Sequence, residues 1–223
     1  MTRAFSGHVM VSFIPINHTS ITMTEEIRKT LRDSAAMRWT ALLLLALAMF
    51  CAYIFVDILS PIKDLMLTQR GWDSTAFGTM QGSETFLNVF VFFLIFAGII
   101  LDKMGVRFTA VLSGAVMLFG ALIKYYAVSE SFIGSGMEAW FTAHLNYIPG
   151  FDELGVSPFY EGMPASAKVA AIGFMIFGCG TEMGGITVSR GIVKWFKGRE
   201  MALAMGSEMA LARLGVATCM IFS

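Results

Sequence analysis

Charge, histidine and cysteine are scarce in this chain of 223 residues. Only 14% of the residues are charged, the formal net charge is zero, and there are three histidines and three cysteines. Duplex nucleic acid is usually bound by a basic surface, so the neutral balance argues against a nucleic-acid partner. Cys51, Cys179 and Cys219 show no C-x-x-C spacing, which favours small apolar packing residues over a metal or redox site.

The few histidines also argue against an enzyme. His8 and His18 lie in an N-terminal leader, and His144 lies in a long polar connection. None of them is accompanied by a nucleophile that it would serve as base, or by a set of metal ligands. We therefore expect no enzymatic activity, no cofactor and no metal site.

Apolar residues, by contrast, make up 56% of the chain, and the mean hydropathy is +0.69. A helix needs about 20 mostly apolar residues to cross a bilayer. Five stretches satisfy this requirement, namely 39–60, 75–101, 108–128, 167–192 and 200–223. The sequence predicts an all-α polytopic membrane protein with a cytoplasmic segment at 1–37, a membrane domain at 38–223 and an outer loop insertion at 129–166.

The basic residues near the ends of these stretches indicate the orientation. Most of the 16 lysines and arginines precede the first stretch or follow the second and fourth, whereas the opposite side carries Lys63, Arg70, Lys124 and Lys168. The N-terminus is therefore expected in the cytoplasm, and the acidic outer insertion is expected to be a folded or mobile external segment. The leader lacks the long apolar core of a signal peptide. We expect translation to start at Met23 and the protein to reside in a bacterial inner membrane.

A short polar gap between the second and third stretches holds the run GIILDKMGVR. Glycines let the backbone turn, and an aspartate with two bases can pair internally or with neighbouring helix ends. The pattern G-x-x-x-D-[RK]-x-G-x-[RK] resembles the signature loop between the second and third helices of the major facilitator superfamily of membrane transporters. Its five fixed positions are Gly98, Asp102, Lys103, Gly105 and Arg107.

Ionisable side chains inside the apolar stretches are costly and often functional. At about 1.5 Å per residue, Glu182 and Arg213 lie about 15 and 20 Å from the same side of a core that is about 30 Å thick. This acid and base either form a buried ion pair that locks two helices or hold the two charged ends of a zwitterionic solute. Glu84 and Asp57 are candidates for gating or proton coupling.

Small residues four apart allow close helix packing in lipid. Gly180 and Gly184 have this spacing, and so do Ala202, Gly206 and Ala210. We predict that both sets pack against neighbouring helices.

The C-terminal segment resembles the lysosomal dipeptide transporter branch of the same superfamily. It has a glutamate in a Gly-rich fourth helix, Glu182, followed by the loop WFKGRE at 195–200 and by ARLG at 212–215. The resemblance covers residues 38–223 apart from the outer insertion. It implies that Glu182 meets the amino end of a peptide and that Arg213 meets its carboxylate.

Facilitators have twelve helices in two halves with the solute between them. The chain corresponds to less than one half, with the sixth helix and the C-terminal half missing, and is not expected to complete an alternating-access cycle alone. The resemblance also implies that Asp102 braces the outward-facing state against a helix of the missing half.

The predicted function is that of an N-terminal fragment of a secondary transporter for small organic solutes, with dipeptides first. One alternative is an organic-anion or nitrate-type facilitator in which Arg213 alone binds the anion. Another is a non-transporting helical fragment that assembles with other membrane proteins.

Overall fold

The structure is a computed structural model that describes residues 34–221. Within this range the chain is helical and has no strand, which confirms the all-α prediction for these residues. The helices are α1 (Ala35–Asp57), α2 (Lys63–Arg70), α3 (Ser74–Gly82), α4 (Phe86–Phe90), α5 (Phe93–Val128), α6 (Gly136–His144), α7 (Ala165–Phe196) and α8 (Met201–Ile221), with a 3₁₀ turn at Ser83–Thr85. The expected start at Met23, together with His8 and His18, lies outside the described residues.

Between residues 34 and 221, three helices, α1, α5 and α7, are long and apolar enough to cross a membrane. They cover the first, third and fourth predicted stretches. The second stretch, 75–101, is not one helix, because the 3₁₀ turn at Ser83–Thr85 and the φ of 55° at Phe92 interrupt it. The fifth stretch corresponds to α8, which has 21 residues but carries Glu208 and Arg213 and is not among the three.

The chain from Trp72 to Asp102 nevertheless runs alongside α7 in the same direction. Trp72 Nε1 donates a hydrogen bond to Ser166 Oγ at 2.8 Å, near the start of α7. Asp102 Oδ1 lies 2.8 Å from Arg190 Nη1, near the end of α7. The interrupted segment therefore covers almost the whole length of α7.

Helix α5 contains a reversal at Gly105. Its φ of 80° and ψ of 167° are non-helical and lie in a region that glycine enters freely because it has no Cβ. Beyond the reversal, Ser113 Oγ donates to the Gly180 carbonyl oxygen at 2.8 Å, and Gly120 packs against the backbone of Gly173. The second part of α5 thus runs back along α7, and the polar gap predicted from the sequence is a tight turn.

Helix α7 lies at the centre of the bundle. In its most apolar 18-residue stretch 72% is buried inside the protein, against 22% for α1 and 17% for α5. A Cβ added at Gly180 would lie 2.6 Å from Met117 Cγ, and one at Gly184 would lie 2.9 Å from Ser113 Oγ. The prediction that Gly180 and Gly184 are packing positions is confirmed.

Helix α8 packs against α1 through a different set of small residues. The contact buries Ala204, Ala212 and Gly215, and a Cβ at Gly215 would collide with the Phe50 carbonyl oxygen. The predicted packing positions Ala202, Gly206 and Ala210 are exposed. That prediction is wrong within the described chain. A spacing of four residues places side chains on one face of a helix, but it does not determine whether that face contacts a neighbouring helix.

Residues 129–164, here called the cap, fold against the ends of the helices. Phe132 and Phe159 are 0% and 3% exposed and belong to the same core cluster as Trp72. Arg70 Nη2 lies 2.8 Å from Glu130 Oε1, which joins α2 to the start of the cap. Of the two expectations for this insertion, the folded one therefore holds.

A pH-sensitive hydrogen bond fastens the end of the cap. Tyr160 Oη donates to Asp73 Oδ1 at 3.0 Å. Burial raises the pKa of Tyr160 to about 12, and the hydrogen bond and the charge of Asp73 act in the same direction. Because this pKa lies above the ordinary value of about 10, the stabilisation is complete below about pH 10 and is lost as the pH rises through about 12.

We expect the tyrosine absorbance titration of the wild-type chain to contain a step near pH 12 that is missing in Tyr160→Phe. Tyr147→Phe is the matched control, because it removes a 57% exposed tyrosine of the same cap and should leave the step in place. Persistence of the step in Tyr160→Phe would contradict the assignment.

Candidate functional site

Three of the charged residues expected within the membrane, Glu182, Arg213 and Glu84, lie around Tyr53 on α1. Arg213 Cζ, on α8, lies 5.6 Å from the centre of the tyrosine ring. Glu182 on α7, Glu84 in the 3₁₀ turn and Glu208 on α8 are also close enough to interact electrostatically with Tyr53. Separate elements therefore bring one base, three acids and a phenol into one region.

Glu182 and Arg213 do not form a direct ion pair. The ion pairs found between residues 34 and 221 join Arg70 to Glu130 and Arg190 to Asp102. Glu182 is partly buried and Arg213 is exposed. Both predicted residues therefore lie in the region of Tyr53 without neutralising each other. Each can still form a hydrogen bond to a bound solute.

Asp57 ends α1 and belongs to a polar network that ties α1 to α3. Its Oδ1 accepts hydrogen bonds from Gln81 Nε2 at 3.1 Å and from Ser60 Oγ at 3.3 Å. Its carbonyl oxygen accepts one from Cys219 Sγ on α8 at 3.3 Å. The Asp57 carboxylate thus joins the end of α1 to α3. Its role in proton coupling stays a prediction.

Glu84 lies where the 3₁₀ turn crosses α7. Its carbonyl oxygen approaches Gly178 so closely that any Cβ there would collide with it. The Glu84 carboxylate interacts electrostatically with Glu182, Lys124 and Asp57. Glu84 therefore connects the region of Tyr53 to the polar network of Asp57.

Lys124 is a candidate that the sequence reasoning missed, because it was counted among the basic residues outside the membrane. Its side chain is buried, and Nζ lies 3.8 Å from the centre of the Phe174 ring. Nζ has no hydrogen-bond partner in the described part of the chain. The signal for this burial was its position four residues inside the predicted stretch 108–128.

The signature run lies around the reversal of α5, where Lys103 and Arg107 are exposed. Asp102 is paired with Arg190, and 64% and 57% of the two side chains are exposed. This pair matches the expectation that the aspartate meets a neighbouring helix end. The contact with a helix of the missing half stays a prediction.

An open groove of about 400 Å³ adjoins this ion pair. Its walls are mostly apolar and come from the first part of α5 and from the end of α7, with Leu94, Leu101, Ile186 and Val193 among them. The groove is a surface feature, distinct from the charged region around Tyr53.

Between residues 34 and 221 no group of three or more histidine, cysteine, aspartate or glutamate residues is arranged to hold a metal ion. No protein-family model, curated protein or solved structure matches the chain. The interpretation of the site therefore depends on its own geometry and chemistry and on the motifs that the sequence carries.

Proposed function

We propose that the chain is the N-terminal part of a secondary transporter that moves a small zwitterionic solute, with a dipeptide as the first candidate, by alternating access. The observation that carries this proposal is that Glu182 and Arg213 both interact with Tyr53 but not directly with each other. Charged groups at the depth of the membrane core need partners. A dipeptide supplies an ammonium group for the acid and a carboxylate for the base.

In this proposal the chain crosses the bilayer five times. Residues 74–104 would form the second crossing despite their interruptions, since they follow α7 from Ser166 to Arg190. Irregular backbone is tolerated at membrane depth where protein covers it, and Gly178 lets α7 cover the 3₁₀ turn closely. Helix α8 would form the fifth crossing, with its two charged residues turned to the solute region.

The signature turn would lie on the cytoplasmic side of a bacterial inner membrane, as the basic residues indicate. The Asp102–Arg190 pair ties the two sides of the groove together at this end. The apolar walls of the groove offer a contact for the missing half of the transporter. In this proposal the chain has no enzymatic activity of its own.

The test measures the affinity of the purified chain for alanyl-alanine by isothermal titration calorimetry in detergent. Glu182→Gln and Arg213→Gln are each expected to weaken binding at least about tenfold, because a hydrogen bond to a charged group contributes about 1.5 to 3 kcal/mol. Dipeptide analogues supply the matched control. The C-terminal amide lacks the carboxylate, so it should bind the wild-type chain weakly, and Arg213→Gln should weaken its binding little further. The N-acetyl form lacks the ammonium group, so it should also bind the wild-type chain weakly, and Glu182→Gln should weaken its binding little further.

Wild-type affinity in both variants would overturn the assignment of the site, and absence of binding to the wild-type chain would overturn the dipeptide proposal. Transport itself needs both halves of a facilitator. The gene is therefore sequenced beyond the codon for Ser223, and dipeptide uptake is assayed on any extended product.

A second candidate is a carrier of organic anions or nitrate, in which Arg213 alone binds the solute. It is favoured by the exposure of Arg213, which contrasts with the partial burial of Glu182. Binding of nitrate or acetate that is lost in Arg213→Gln and unchanged in Glu182→Gln would support this candidate over the dipeptide carrier.

A further inference from the structure

Helix α6 of the cap presents an apolar face that stays exposed in the described part of the chain. Met137 and Trp140 are 47% and 54% exposed, and their spacing of three residues places them on one side of the helix. His144 extends this side, because its ring is stacked on that of Trp140 with the centres 5.0 Å apart. Another side holds Phe141 and Leu145, which pack against the core. Exposed apolar side chains grouped in this way mark a surface that meets a partner or a membrane.

The surface formed by Met137, Trp140 and His144, here called the Trp140 face, has no formally charged side chain other than the histidine. Helix α6 contains no lysine or arginine, and Glu138 is its one acid. Glu138 Oε2 accepts a hydrogen bond from Gly134 N at 2.6 Å, while Glu138 N donates one to the Oγ of the preceding N-cap serine at 3.2 Å. This reciprocal arrangement is a capping box, which fixes the start of the helix. The acid is therefore used by the N-terminus of α6 and lies about 100° around the helix from Met137.

The cap holds α6 at the level of the ends of the long helices. Two consecutive turns lead from the end of α5 to α6, with Phe132 N donating to Ser129 O at 3.2 Å and Ser135 N to Phe132 O at 3.1 Å. Just beyond α6, Asn146 Oδ1 accepts a hydrogen bond at 2.8 Å from Lys168 Nζ, in the first turn of α7. Both α5 and α7 are long and apolar enough to cross a membrane. Because α6 is fastened to both of them, it lies close to the place where they leave the bilayer.

We propose that α6 is an interfacial anchor whose Trp140 face lies among the headgroups and upper acyl chains of the leaflet on the cap side. The helix has nine residues and is about 14 Å long, too short to cross a bilayer. Tryptophan is enriched at membrane interfaces, because its ring is apolar and its N–H group is polar. Apolar faces of interfacial helices enter the boundary between headgroups and acyl chains. A soluble protein partner would have to reach the same face past the lipid that adjoins it.

This inference requires that α5 and α7 cross a membrane, but it needs neither a solute nor the missing half. Its test is therefore independent of the calorimetry. The purified chain is reconstituted into phosphatidylcholine bilayers that carry bromine either near the top of the acyl chains or near their ends. Bromine quenches indole fluorescence on contact. The signal of Trp140 is the difference between the wild-type chain and Trp140→Phe, which keeps an aromatic ring.

We expect the Trp140 signal to be quenched more strongly by the shallow bromine than by the deep one, at a depth of about 5 to 10 Å into the boundary between headgroups and acyl chains. Trp72→Phe provides the buried control. Trp72 is 3% exposed, so its difference signal should be unchanged by either bromine.

A charge on the Trp140 face should lift it from the lipid. Met137→Asp is expected to reduce the shallow quenching of Trp140 at least about twofold, because a carboxylate is costly to transfer out of water. Thr142→Asp is the matched control, since Thr142 is exposed and lies about 200° around the helix from Trp140. It should keep the wild-type quenching. Each variant is measured against its own Trp140→Phe background.

Three results would overturn the proposal. One is a Trp140 signal that brominated lipid leaves unchanged and aqueous iodide quenches, which would leave the face open to a soluble protein partner. Another is stronger quenching by the deep bromine, which would place the ring in the acyl core. The third is equal quenching in Met137→Asp and the wild-type chain, since contact with lipid would then not depend on this face.

Discussion

Replacement of Gly178 by alanine is expected to destabilise the bundle by about 1 to 3 kcal/mol, the usual cost of forcing an extra group into a packed interior. The added Cβ would collide with the Glu84 carbonyl oxygen and lie 2.8 Å from Glu84 Cγ. Because the collision is with main chain, no rotation of a side chain relieves it. The 3₁₀ turn must therefore move away from α7 and take the carboxylate of Glu84 with it.

Gly185 of the same helix provides the control, because a Cβ there would meet nothing within 4 Å. Gly185→Ala should raise stability slightly, since alanine is a better helix former than glycine by about 0.8 to 1 kcal/mol. The measurement is the midpoint of thermal unfolding in detergent, followed by tryptophan fluorescence. Equal midpoints for the two variants would show that the close contact at Gly178 does not constrain the fold.

Replacement of Phe132 by alanine is expected to cost about 3 to 5 kcal/mol, as for other large aromatic residues in cores. Phe132 is 0% exposed, and its ring meets that of Tyr126 on α5 edge to face at 5.7 Å. It is the first large anchor of the cap after α5. Its loss should open the cap, so that Tm falls by roughly 10 °C and the cap becomes sensitive to protease.

The next residue along the chain provides the control, because it is also apolar but is exposed. Ile133 is 42% exposed, and Ile133→Ala should change stability by no more than about 0.5 kcal/mol. Limited proteolysis of both variants, with the cleavage sites located by mass spectrometry, distinguishes local opening from global unfolding. Cleavage of Phe132→Ala at the wild-type rate would contradict the role of Phe132 as an anchor.

Local composition predicted the helical class and the turn at Gly105 well, because both depend on features of short segments. The apolar run of α1 has no competing signal, and glycine next to charged residues marks a turn. The interruption at Phe92 has no such signal, since a left-handed φ at phenylalanine is not encoded by its own side chain. It lies between α4 and α5 at a residue that is 64% exposed, and a hydropathy profile averages over it.

At the candidate site, the directions of the side chains could not be predicted from the sequence. Counting residues along a helix gives the depth of Glu182 and Arg213 but not the direction in which each faces, so it did not decide between an ion pair and a solute site. In the structure the two side chains do not form an ion pair, and Tyr53 on α1 interacts with both of them. Lys124 was missed because a lysine near the end of a stretch is usually taken to reach water.

The burial of α7 has a consequence for how the protein is made. This helix is the least apolar of the three long ones and the most enclosed by other parts of the chain. A helix of lower hydrophobicity enters a membrane less readily on its own during synthesis. The ribosome produces α1 and α5 first, so two of the helices that pack against α7 precede it along the chain. The order of the helices along the chain thus places the least apolar of the three after two of the helices that cover it.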